Sequence, residues 1–188
     1  MAPSKKSFAF VLTFLRITLV ISVLCCLSLK PREAENEAKI KARFIYSFVK
    51  YIHWPADKSF DIFTIGVVGK TATLDELKKM CQNKIVDEKS IRIIQVNETE
   101  AIDDCQVIFI TRSQSFLLGD VLDVVDKRGT LIITEAKGML QKGSAINLIR
   151  DGQKETFEIN KDVLTQQGLK IPDNLLILAI NIDVGPSF

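Results

Sequence analysis

Histidine is nearly absent from this chain: 188 residues hold a single one, His53. A Ser-His-Asp relay needs a histidine placed between nucleophile and acid. Trp54 and Pro55 beside His53 instead suggest packing at the end of a helix. One histidine and the two cysteines outside the apolar leader, which are expected to pair, also cannot close a metal site. No catalytic residue, metal ligand or cofactor is therefore expected. An excess of one charge is missing too, with 25 basic against 23 acidic residues. Residues 1–30 carry Lys5, Lys6, Arg16 and Lys30 and no acid, so the remainder holds 21 basic and 23 acidic groups. A body of about −2 lacks the concentrated positive charge that nucleic-acid binding requires. There is no internal repeat, no low-complexity tract and no second domain boundary.

What the chain does have, at its front, is an apolar segment. Ser7–Leu29 is broken only by Arg16, and the thirteen residues from Ile17 to Leu29 carry no charge. That matches the apolar region of an export signal, roughly 7–15 residues, whereas a membrane span needs roughly 20. Residues 1–34 are expected to be a signal peptide or membrane anchor, and residues 35–188 the folded domain. A lipoprotein would use Cys25 or Cys26, but the preceding Leu24 and Cys25 are not the usual small residue. If those cysteines leave with the leader, Cys81 and Cys105 remain. Two cysteines in an exported chain are expected to pair, at a gain of roughly 3–4 kcal/mol. The alternative is two buried small hydrophobes.

Periodicity lays out the elements. Glu33–Lys39 reads as a polar linker. Ile40, Phe44, Ile45, Phe48, Val49 and Ile52 then form a helical stripe that ends at Pro55. Ile62–Val68, Ile91–Val96, Val107–Thr111 and Thr130–Thr134 read as strands. Helices are expected at Leu74–Met80, capped by Thr71 or Thr73, and after Ser115. Asp151-Gly152 joins a hairpin of Ala145–Arg150 and Glu155–Ile159. A short helix over Lys161–Gln167 stops at Gly168. Leu175–Ala179 is read as helix, although its Ile/Val tail equally suits a strand. The pattern predicts an α/β fold: a single-domain sandwich with a central mixed sheet flanked by helices.

Gly69-Lys70-Thr71 completes the last three residues of a phosphate-binding loop, but the required first glycine is Thr64 and the middle positions read as strand. A capped helix after a strand end explains it. Lys70, and Arg112 after the third strand, lie at carboxyl ends of strands where α/β sheets bind ligands. They are candidates for holding an anion. Tyr46, Tyr51, His53 and Trp54 are candidates for a partner surface, since such side chains bury much area and keep a polar tip.

Several blocks carry a resemblance. Lys41-Ala42, then Phe44-Ile45-Tyr46-Ser47-Phe48, then Trp54-Pro55 form the first. Ile65-Gly66-Val67-Val68-Gly69 and Cys105-Gln106-Val107-Ile108-Phe109-Ile110 follow. Gly143-Ser144-Ala145-Ile146-Asn147-Leu148, Phe157-Glu158-Ile159-Asn160, Gly168-Leu169 and Leu175–Ala179 complete the set. In order and spacing, from Ile40 to Ala179, the chain resembles the YfiR family of exported signalling regulators. The resemblance implies a periplasmic, non-catalytic α/β protein, often a homodimer. Such a protein represses an inner-membrane partner, typically a diguanylate cyclase of cyclic-di-GMP signalling, and stress or redox change releases that partner. It also implies that Cys105 matches a cysteine able to form a disulfide, with Cys81 as mate. The readings that compete are a periplasmic small-anion-binding module and an accessory subunit of a sensor histidine kinase.

Overall fold

The computed structural model of the chain describes residues 33–55, 60–97, 102–125 and 129–183. The apolar leader expected over residues 1–34 lies almost wholly outside them. Glu33–Lys39 is not a linker: residues 33–51 are helical, and this first helix is called α1. Ala34, Glu35, Glu37 and Ala38 are good helix formers, and acids suit the positive end of a helix.

From Ala38 onward the chain makes one compact unit. Its sheet is built from β1 (Ile62–Val68), β2 (Ile85–Val86), β3 (Lys89–Val96), β4 (Val107–Ile110), β5 (Leu131–Thr134), β6 (Ile146–Asp151), β7 (Lys154–Asn160) and β8 (Asn181–Asp183). The spatial order is β2-β3-β1-β4-β5-β6-β7-β8. The strands from β3 to β6 run parallel, β2 and β7 are antiparallel to their neighbours β3 and β6, and β8 returns parallel to β7. This is the expected mixed sheet. Its parallel centre explains the continuous apolar runs of β1, β4 and β5, which are buried on both faces.

Alternation sorts the side chains onto two faces. Phe63, Ile65 and Val67 of β1 join Phe109, Ile133, Ile146 and Phe157 in the larger core. Over that face lie α1, α2 (Ala72–Cys81), α4 (Lys161–Gln166) and α5 (Asp173–Leu176). The predicted stripe does the packing: Ala42, Ile45, Phe48, Val49 and Ile52 are all buried. Phe44 and Phe48 meet Phe157 edge-on, with centroids 5.2 and 5.0 Å apart. On the opposite face, Val68, Ile108, Ile110 and Ile132 pack against α3 (Leu118–Val125). A 3-10 turn, Arg112–Leu117, leads into α3, so this helical stretch begins three residues before Ser115.

The C-terminal helix is shorter than expected. It stops at Leu176, and Asn181–Asp183 pairs with Glu158–Asn160 as a strand. Ile180 N donates to Phe157 O at 3.0 Å, so the chain leaves the helix and continues along the open edge of β7.

Candidate functional site

The strand order creates a crevice. From β1 the chain crosses through α2 on one face to β3, then passes to the other side of β1 to form β4, whose exit runs over the opposite face. Connections diverging at neighbouring carboxyl ends leave the opening where α/β sheets bind ligands. Here it is a cavity of about 440 Å³ at the ends of β3, β1 and β4. Its apolar wall is Val68, Val96, Ile102, Leu117 and Val121. Lys70, Gln95, Asn97, Ser113 and Gln114 line the rest.

Gly69 explains why the glycine of the Gly-Lys-Thr run is needed. Its φ is +99°, and a Cβ there would overlap Thr111 Oγ1. Thr111 itself donates to Val68 O at 3.0 Å, which ties the ends of β1 and β4 together. Thr71 is the cap of α2, its hydroxyl accepting from Thr73 N at 3.2 Å. Lys70 is exposed at the rim. Arg112 is drawn elsewhere: its backbone N donates to Glu135 Oε1 at 3.0 Å and its Nε to Glu135 O at 3.3 Å. The other carboxylate oxygen of Glu135 receives Lys41 Nζ at 2.7 Å, with both side chains about nine-tenths buried. The structure therefore does not bring Lys70 and Arg112 together as one anion site. Sequence reasoning found Lys70 but missed Asn97 and Gln114, whose place at the rim depends on strand order.

The aromatic candidates separate as well. Tyr51 is 40% exposed, with Lys50 Nζ 5.2 Å from its ring centre. His53 is exposed and bridges to Lys170 through two backbone hydrogen bonds of 2.9 and 3.0 Å. Tyr46 is half-buried. Trp54 turns inward, meeting Phe63 edge-on at 4.9 Å. Its indole Nε1 is buried without a hydrogen-bond partner among the described residues. Trp54, Arg92 and Cys105 line a second hollow of about 460 Å³ at the amino ends of the strands. A further apolar surface lies after α5, where Ile177, Leu178 and Ile180 are 80%, 60% and 51% exposed.

The expected Cys81–Cys105 disulfide is absent, and the fold explains why. Both are buried thiols. Cys81 shares the inward side of α2 with Leu74 and Leu77, which belong to the larger core. Cys105 belongs to the smaller core on the opposite face. The sheet stands between them. Burial pushes each thiol up to about 11; Asp104 adds to the rise at Cys105, and Arg92 opposes it.

Among the described residues, no cluster of three or more His, Cys, Asp or Glu is placed to hold a metal ion. No described helix is long and apolar enough to cross a membrane. No curated protein matches the chain. Two solved structures are similar to it: a Streptococcus pneumonia "ABC domain in complex with L-Trp" at 13% identity, and a conserved domain protein from Vibrio cholerae O1 biovar El Tor at 14%. Each has a TM-score of 0.48, covering 65% of this chain and 55% of the other, so the chain spans about half the length of either. A family profile described as YfiR/HmsC-like matches residues 38–180.

Proposed function

The chain belongs to the YfiR/HmsC-like family, and from that premise we propose that it is a non-catalytic periplasmic regulator. It binds the periplasmic part of an inner-membrane diguanylate cyclase and represses it. The single observation that carries this reading is the extent of the match. It begins at Ala38 in α1 and ends at Ile180, taking in every strand from β1 to β7.

Two surfaces suit a protein partner. Lys50, Tyr51 and His53 form one, at the end of α1. Ile177, Leu178 and Ile180 form the other, and exposed apolar side chains grouped in this way mark interaction sites. One of the two would serve the cyclase and the other a second copy of the chain. Tyr46 and Trp54 act from behind by holding the end of α1. Because Cys81 and Cys105 lie on opposite faces of the sheet, a redox signal that releases the partner would not work through a bond between them.

Crosslinking in native membranes, followed by mass spectrometry, tests the reading. Recovery of a cyclase with a periplasmic region, and higher cyclic-di-GMP on deletion of this chain, is the expected result. Recovery of a sensor kinase instead would move the assignment to an accessory subunit. Replacing Tyr51 by Ala should leave the melting temperature unchanged and reduce the recovered partner; unchanged recovery would remove that surface from the proposal.

A further inference from the structure

We propose that the crevice at the carboxyl ends of β3, β1 and β4 binds a small, singly charged anion with an apolar, ring-sized body. Its volume of about 440 Å³ lies in the range of small-molecule sites, roughly 300–1,000 Å³. The wall formed by Val68, Val96, Ile102, Leu117 and Val121 offers an apolar slot with no hydrogen-bonding side chain of its own.

The polar groups around that slot are few and convergent. Lys70 is the one cation among the described lining residues. Arg112, the next nearest in sequence to the rim, is engaged by Glu135. The ten-residue helix α2 starts two residues beyond Lys70, so its positive end adds to the same sign of potential. No described lining residue is acidic. One charge on the ligand is therefore matched and a second is not. Among the described residues, no protein group engages the side-chain amides of Asn97 and Gln114. Two uncommitted amides, Asn97 and Gln114, beside one apolar slot can orient a ligand by hydrogen bonds without adding charge. Gly69 keeps the floor in place, because any side chain there would drive apart the ends of β1 and β4.

Isothermal titration of the full chain with naphthalene-1-sulfonate tests this, with the neutral naphthalene-1-sulfonamide as control. The expected result is saturable one-to-one binding, roughly tenfold weaker for the sulfonamide and for Lys70→Met, since a charge-assisted hydrogen bond is lost in each. Gln114→Trp, which places a ring in the slot from a half-buried position, should abolish binding with an unchanged melting temperature. Amide shifts at Gly69, Lys70 and Ser113 on adding the sulfonate give a readout that needs no variant. The proposal is overturned by no binding up to about 10 mM, a range that still detects very weak complexes. It is equally overturned by sulfonamide binding as tightly as sulfonate, or by shifts confined to residues away from the crevice.

Discussion

Gly66 faces Cys105 across the β1–β4 boundary at the spacing of a disulfide. A Cβ built on Gly66 lies 2.8 Å from Cys105 Sγ and 3.8 Å from Cys105 Cβ. Bonded cysteines have Cβ atoms about 3.8 Å apart. The variant Gly66→Cys should therefore form a bond with Cys105 on mild oxidation, once the Val96 methyl 2.9 Å away rotates aside. Mass spectrometry should show the loss of two hydrogens, and thiol titration should find Cys81 still reactive after unfolding. A melting temperature that rises on oxidation would confirm unstrained geometry; no bond would mean that Val96 holds its place. Cys105 was legible as a cysteine suited to pairing, but its true neighbour was not. Sequence alone does not show that residue 66 lies beside residue 105 while Cys81 sits beyond the sheet.

At the scale of elements, the caps and ties can be tested singly. Asn160 closes β7 and opens α4, its Oδ1 accepting from Val163 N at 3.0 Å. Asn160→Ala should cost about 1 kcal/mol, the usual loss for an N-cap, read from urea denaturation. Lys41 joins α1 to the end of β5 through Glu135. Lys41→Met strands a buried carboxylate and should cost about 3–5 kcal/mol. Adding Glu135→Gln should recover part of that loss, because the amide oxygen still accepts from Arg112 N. An additive double variant would show that the pair is not coupled.

Most elements were legible because the parallel strands are apolar runs and α1 carries a clean 3.6-residue stripe. Besides the opening turns of α1, which read as a linker, three features were not. The two-residue β2 is too short for any period. The helical turn at Arg112 has no apolar pattern, since its chain hugs Glu135. The strand at Asn181 wins over a longer helix only because β7 offers an open edge. The partner of Lys41, 94 residues away, is invisible without the fold.

The molecule as a whole should lose stability at high pH. Both thiols keep their protons to about 11 in the fold, against an ordinary 9.0. As pH rises past 9 the unfolded chain releases these protons first, so the contribution is constant below pH 9 and is lost between 9 and 11. Urea midpoints measured from pH 8 to 11 should fall more steeply for the wild type than for the Cys81→Ala/Cys105→Ala double variant. Parallel slopes would mean that the two thiols contribute nothing to the fall. The crevice was legible only in outline at this scale. Lys70 and the Gly-Lys-Thr run marked a strand end, whereas the other lining residues come from two further strand ends that only the finished sheet assembles.

The aromatic contact between α1 and β7 sets an order of events during synthesis. Phe44 and Phe48 are among the first described residues to emerge, yet the ring they need, Phe157, comes more than a hundred positions later. A chain still being made cannot shield that stripe with its own final partner, and contacts this distant in sequence form slowly. An unfinished chain that ends before the β6–β7 hairpin thus presents α1 as a greasy, uncovered surface. A holdase that shields unfinished chains would find its grip there, and would lose it when Phe157 arrives.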